Sequence, residues 1–323
     1  MTRTKCGYSV VIAIVGAMLF SDGATAQSFP SKAVRLLVPF APGGGADTLS
    51  RVLGQKMSES MGQQIIVDNR PGGNTLIATE MLVRAAPDGY TLIMQTNNLT
   101  VNPTLYKKLN YDTLKDLAPV ALIAHIPHLL VVHPSVPAKT VKEFVALAKS
   151  KPGAINYGTG GSGTVNHLTA ALFETMAGIK MTHVPYKGSG LILPDLLGGH
   201  LESHFAILPV VRQYVLSGRL RALALTTINR TPLLPDLPTF GELGYKGYNL
   251  SSWLGILAPA ATPPDVINRL HAEAVKAGKR PDVQERLPEC NYVLSTPQEF
   301  AAFIKADIAM QNRIVRESGI TID

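Results

Sequence analysis

Residues 155–168 read INYGTGGSGTVNHL. Gly158, Gly160 and Gly163 fall on the G-x-G-x-x-G spacing of a dinucleotide-binding turn, after a short apolar run and before a helical pattern. Such a turn carries backbone N–H groups to the start of a helix, where they lack internal partners and partial positive charge collects. The chemistry this offers is anion binding, whether of phosphate, sulfate or carboxylate. Two further Gly-rich turns have the same strand-before, helix-after context: VPFAPGGGADTLSRVLGQ (38–55) and VPYKGSGLILPDLLGG (184–199). A dinucleotide site also needs an acidic residue at the end of the next strand. That strand ends in Pro185-Tyr186-Lys187, so the dehydrogenase reading is set aside and no cofactor is expected.

Nucleophilic chemistry has little support. Ser162 has no G-x-S-x-G elbow around it, and His167 lies five residues on, out of helical alignment with it. A secreted ester or amide hydrolase is the rival reading, and it lacks an identifiable base. His125, His128 and His133 cluster in AHIPHLLVVHP, without the acidic or cysteine partners of a metal site, so no metal is expected there. The reading adopted is a crossing segment with polar residues at a cleft edge. Cys290 stands alone once Cys6 is removed and is read as a buried structural thiol.

These residues must be positioned by elements that the patterns outline. Arg3 and Lys5, the apolar run Tyr8 to Phe20 and Ala24-Thr25-Ala26 read as a signal peptide cleaved after Ala26, which predicts export to the periplasm. Removing Arg3, Lys5 and Asp22 takes the formal net charge from +7 to +6. The charges are scattered, which argues against nucleic acid and favours a small acidic ligand. Strands are predicted over 34–40, 64–69, 90–96, 155–157, 181–184, 203–206 and 220–226, with a further apolar run in 251–263. Helices alternate with them: 48–61, 75–86, 140–149, 164–177, 191–197 and 210–216. Three closing helices start near prolines, at 263–277, 281–287 and 297–318. The alternation predicts an α/β protein with parallel sheets in two blocks, about 28–124 and 128–250. The closing helices return to the first block, giving two chain crossings and a cleft.

The stretches VPFAPGGGADTLSRVLGQKMSESMGQQIIVDNRPGG, AAPDGYTLIMQT, NYGTGGSGTVNHLTAALFETMAG, HVPYKGSG, LPDLLGGH, GRLRALALTT, LPDLPTFGELG and WLGILAPAATP occur in that order. Together they resemble the Bug family, the periplasmic substrate-binding proteins of tripartite tricarboxylate transporters, over essentially the whole mature chain. The resemblance implies a type II periplasmic-binding-protein fold, two α/β domains with a ligand cleft between them and two chain crossings. The domains expected are 27–125 plus 253–323, and 126–252. It implies a small carboxylate ligand and no catalysis, with membrane transporter subunits or a sensor kinase as partner, and a monomer. Residues matching the family's ligand loops are Phe40, Ala41, Gly44, Gly45, Ala46 and Asp47, then Thr159, Gly160, Ser162 and His167, with Asn74, Thr96, Asn97 and Ala206 as further candidates. Asp47 is read first as the N-cap of the following helix, and His167 as either a structural hydrogen-bond partner or a ligand contact. Trp253 is read as hinge core; Lys187 is a possible carboxylate partner. The chain departs from the family at RPGGNTLIAT, one residue shorter than usual. It departs again at HFAILP, where Ala206-Ile207 replaces a frequent acidic residue and Asn. That change disfavours an amino-acid ligand and favours one with an apolar or aromatic body.

Overall fold

The computed structural model describes residues 29–186, 191–318 and 320. The expected signal segment, Cys6, Lys187, Gly188 and Gly190 lie outside them. Lys32–Asp323 form one compact unit, which holds the strands and helices of the fold.

The chain runs β1 (Val34–Val38), α1 (Gly45–Met61), β2 (Ile65–Asn69), α2 (Leu76–Val83), β3 (Thr91–Gln95) and α3 (Asn98–Leu105). The long β4 (Leu117–Val132) leads to α4 (Val141–Ser150), β5 (Asn156–Thr159), α5 (Val165–Ala177), β6 (Thr182–Pro185), α6 (Ile192–Gly198), β7 (Ser203–Ile207), α7 (Leu208–Leu216) and β8 (Arg221–Leu225). Then follow β9 (Ser251–Pro259), α8 (Pro264–Gly278), α9 (Pro281–Gln284), β10 (Asn291–Tyr292) and α10 (Pro297–Ser318).

Two half-sheets share β4. Its first part, up to Pro127, pairs with β9 in the order β2-β1-β3-β9-β4, with β10 on its far edge. Its last part, from His128, pairs with β7 and β8, and β7 continues to β5 and β6. The chain therefore crosses between half-sheets twice, along β4 and again between β8 and β9.

The sheets are mixed, which corrects the expectation of parallel sheets. Strand pairs β1–β2, β1–β3, β5–β6 and β5–β7 are parallel; β3–β9, β4–β9, β4–β7 and β4–β8 are antiparallel. The physical reason is the crossing itself. A strand that leaves one sheet and enters the other must meet neighbours running the opposite way in the second. The directions have a consequence for function. β4 runs toward the switch at residues 127–128 in the first half, parallel to β1 and β3, and away from it in the second, antiparallel to β5 and β7. All four carboxyl ends, of β1, β3, β5 and β7, thus point at the waist.

Each half has its own core. The apolar face of α1, Leu49, Val52, Leu53, Met57 and Met61, is wholly buried. In α2 Ile77 is 51% exposed and covers Gly72. The first half packs Leu37, Ile93, Leu122, Trp253, Leu257 and Phe300 together. The second is built on the rings of Phe144, Phe173, Phe205, Phe240 and Tyr248. Of the closing helices, α8 returns to the first half, against α1 and β4. Helix α10 departs from expectation by touching both halves. Its Ile314 and Val315 join Val101 and Leu105 of α3 to Leu168 of α5 in one buried cluster.

Candidate functional site

The first glycine turn follows β1. The backbone ladder of α1 begins with Thr48 N–H to the Gly44 carbonyl, 2.9 Å. The N–H groups of Gly45, Ala46 and Asp47 precede that ladder, at the positive end of the helix dipole. Asp47 corrects the N-cap reading: Gly44 is the cap residue, and Asp47 sits in the first turn. Its carboxylate reaches back to accept from Gly43 N–H (3.0 Å), Asn69 Nδ2 (2.9 Å) and Arg51 Nε (3.0 Å). Asn69 Nδ2 also donates to the Phe40 carbonyl at 3.0 Å. Phe40 is half-buried and Ala41 to Gly44 are exposed, so the turn is pinned from beneath while its upper surface stays open. Burial alone would raise the Asp47 carboxyl's pKa, but these hydrogen bonds prevail and hold it below the usual range.

The second turn, after β5, is held in a similar way by different groups. The ladder of α5 begins with Leu168 N–H to the Thr164 carbonyl, 3.0 Å, leaving the amides of Val165, Asn166 and His167 ahead of it. Thr159 is fully buried; its hydroxyl accepts from Gly161 N–H at 3.2 Å and lies 2.6 Å from His183 Nε2. Gly163 N–H donates to His167 Nδ1 at 3.1 Å. Gly161 and Gly163 adopt φ of 128° and 75°, values that a side chain would oppose. Gly160 is half-buried and Ser162 exposed at the tip. His167 is therefore tied to its own loop.

Both turns follow strands whose carboxyl ends point at the waist. A Cβ built on Gly45 would lie 3.4 Å from Ile126 Cδ1 on β4 and 3.8 Å from Ile207 Cδ1 at the end of β7. The second turn's strand, β5, runs alongside β7 with Gly158 opposite His204. Other candidates divide. Asn74, at φ 52°, lies in a cluster with Asn98 and Asn102, half-exposed after β2. Thr96 is buried and donates to Asn98 Oδ1 at 3.0 Å. The Asn97 side-chain amide bridges the Ser251 carbonyl (3.1 Å) and Trp253 N–H (3.0 Å), tying α3 to β9. Ala206 is buried, its methyl in a cluster with Leu129 and Leu208. The side chain that reaches the first turn is Ile207.

A family model described as "Tripartite tricarboxylate transporter family receptor" matches residues 49–320. The chain belongs to that family. Among its relatives, BugT of Bordetella pertussis (strain Tohama I) is 32% identical over 317 residues, covering 96% of this chain and 97% of that protein. The structure of R. palustris Rpa4515 with adipate is 34% identical, with a TM-score of 0.85, covering 91% of this chain and 99% of that one. The structure of periplasmic binding protein BugD is 29% identical, with a TM-score of 0.83, covering 91% and 99%. The fold of this receptor is thus the periplasmic-binding-protein fold that its motifs implied, and its family and neighbours are solute-binding proteins of the periplasm. Among the described residues, no helix is long and apolar enough to cross a membrane.

The receptor's histidines divide between the crossing strands and the loops. His125 Nδ1 lies 3.1 Å from Ser251 Oγ, His128 Nε2 lies 2.7 Å from Ser252 Oγ, and His133 Nδ1 lies 2.7 Å from Ser135 Oγ. Each is matched to a hydroxyl; the first two join the crossing strands β4 and β9. Burial, and then the nearby His204, pushes His128 down to about 3. Burial takes His204 to about 4 against the opposing hydrogen bond to the Gly158 carbonyl. Trp253 is core, 1% exposed, with Nε1 donating to Asp307 Oδ2 at 2.9 Å. Cys290 is buried, and burial raises its thiol to about 12. Two residues beside these turns escape sequence reasoning: Ile126 and His183. Their partners lie far off along the chain, beyond any local pattern.

Proposed function

We propose that this receptor captures a small carboxylate with an aliphatic body in the periplasm, by closing its two lobes over it, and presents it to membrane subunits of a tripartite tricarboxylate transporter. The lobes are 27–125 with 253–323, and 126–252, after removal of a signal peptide of 26 residues. The observation that carries this reading is the convergence of the carboxyl ends of β1, β3, β5 and β7 on one waist. Two of those ends feed helices whose first amides precede the backbone ladder. Ligand crevices form at such strand ends, and helix starts bind anions. Two turns on opposite lobes suit two carboxylate groups of one molecule. Ile126 and Ile207 supply an apolar wall beside the first turn, where an ammonium group would find no partner. Rpa4515, 34% identical, is a structure with adipate, a chain of methylenes between two carboxylates.

The test is a thermal-shift and calorimetric screen of the exported protein with adipate, shorter and longer dicarboxylates, aromatic carboxylates and an amino acid. Saturation at 100 times the dissociation constant should stabilise the protein by about 2.7 kcal/mol. Gly45→Ala should reduce that gain without lowering the ligand-free melting temperature, because its one methyl sits at contact distance from Ile126 and Ile207 (3.4 and 3.8 Å) beside the first amides of α1. A preference for amino acids, or undiminished binding in Gly45→Ala, overturns the reading.

A further inference from the structure

We infer that His167 and His183 form a stacked positioning pair that holds the second glycine turn in its anion-binding shape. This rests on the proposed function and names the residues on which the turn depends. The rings are parallel within 10°, with centroids 3.9 Å apart. Tyr157 of β5 packs against both rings, 5.3 Å from His183 and 6.4 Å from His167, and so flanks the column of His183 on β6 and His167 on α5. Each imidazole ends on the turn at a different point. His183 Nε2 meets the Thr159 hydroxyl at the turn's entry, and that hydroxyl also receives Gly161 N–H. His167 Nδ1 receives Gly163 N–H at its exit. Between those anchors lie Gly160, Gly161 and Ser162, the segment with the special backbone angles at Gly161 and Gly163. Without the anchors, glycine's conformational freedom would work against the single shape that aims the amides.

The chemistry fixes a protonation state. A ring nitrogen that accepts from an amide must carry a lone pair, so His167 is the neutral tautomer with its proton on Nε2. Charging His167 replaces that lone pair with N–H and sets a cation against the face of His183. The titratable groups packed on the pair are the two histidines themselves, Tyr157 of β5, and Glu174 of α5, which bonds Tyr157 behind the column. Burial, and for His167 the neighbouring His183, lowers both imidazoles. A positioning role therefore predicts weaker carboxylate binding as acid charges the pair. Direct contact between an imidazolium and the ligand predicts the opposite sign.

The experiment uses the mature protein, adipate as probe, and two pairs of variants. His167→Asn keeps an acceptor near the Nδ1 position and does not titrate; His167→Phe keeps the stack and removes the acceptor. His183→Gln and His183→Phe make the same division at Thr159. His167→Phe is expected to bind adipate about tenfold more weakly, the equivalent of one lost hydrogen bond, with His167→Asn close to wild type. Between pH 6 and 4, the range in which His167, its pKa pushed down to about 4, takes up its proton, the wild type should lose more affinity than His167→Asn, a comparison that cancels protonation of adipate itself. Equal binding by His167→Phe and wild type, or a wild type that gains on His167→Asn in acid, overturns the inference. If the wild type binds no carboxylate, the functional reading falls, and the ligand-free protein still decides this one. Gly163 amide exchange should accelerate in His167→Phe and not in His167→Asn, and the His167 nitrogen shifts should report an unprotonated Nδ1. Equal exchange in the two variants, or a proton on Nδ1, overturns it.

Discussion

Asp47 shows how one carboxylate can brace a glycine turn from beneath. It accepts from Gly43 ahead of its helix, from Asn69 at the end of β2 and from Arg51 one turn on. Asp47→Ala removes these acceptors while leaving the helix start intact, because Gly44 and not Asp47 is the cap residue. Unfolding should become easier by about 1–2 kcal/mol, the loss of part-buried hydrogen bonds to a charged acceptor, and carboxylate affinity should fall with it. Urea denaturation and calorimetry on the same variant check both; Asp47→Ala with wild-type stability would refute the bracing role. The residue type and its place in the loop were legible in the sequence. Its direction was not, because an Asp beside a helix start suits both a cap and a first-turn brace, and the choice depends on Asn69, 22 positions away. His183 was unreadable for the same reason: its hydroxyl partner is Thr159, 24 positions back.

Among the elements, the alternation of strands and helices was readable from spacing because one face of each is buried. β4 was not. Its stretch LAPVALIAHIPHLLVV contains Pro119 and Pro127, which read as breakers of a central strand. The structure accommodates both. Pro119 lies where the register against β9 shifts, and Pro127 stands at the change from one half-sheet to the other. Helix α3 escaped too, since its buried positions include Asn98, Thr100 and Asn102, polar residues bonded to Asn74 and Asp307 in place of an apolar stripe. The packing of α10 on β9 depends on Gly255. A Cβ there would lie 2.2 Å from Phe300 Cζ and 2.7 Å from Cε1. Gly255→Ala should cost about 1–3 kcal/mol through overpacking of a well-filled core, and Gly255→Ala with Phe300→Leu should recover part of it. Thermal denaturation of the single and double variants tests this; additive losses would contradict the contact.

For the whole molecule, the waist is where stability becomes sensitive to acid. His128 and His204 are both buried and neutral, with pKa values pushed to about 3 and about 4. In the unfolded chain each returns to an ordinary value near 6.5. Depressed folded values mean stability that is complete above the unfolded value and is lost as pH falls toward the folded one. At pH 5 the loss from His204 alone is about 2 kcal/mol. Urea unfolding at pH 7.5 and pH 5 should show it in the wild type, and His204→Gln should show a shallower decline; identical declines would be the contrary result. The two-crossing architecture was legible from the order of motifs. What was not legible is that α10 bridges the halves, since its amphipathic pattern says only that one face is covered, not by what.

One consequence follows from the single tryptophan. Trp253 sits at the start of the second crossing strand, its indole N–H on the Asp307 carboxylate of the helix that spans both halves. The chain therefore carries one indole fluorophore between the crossing strand and the bridging helix. If the lobes close as proposed, its emission should change on ligand binding, with no dye attached.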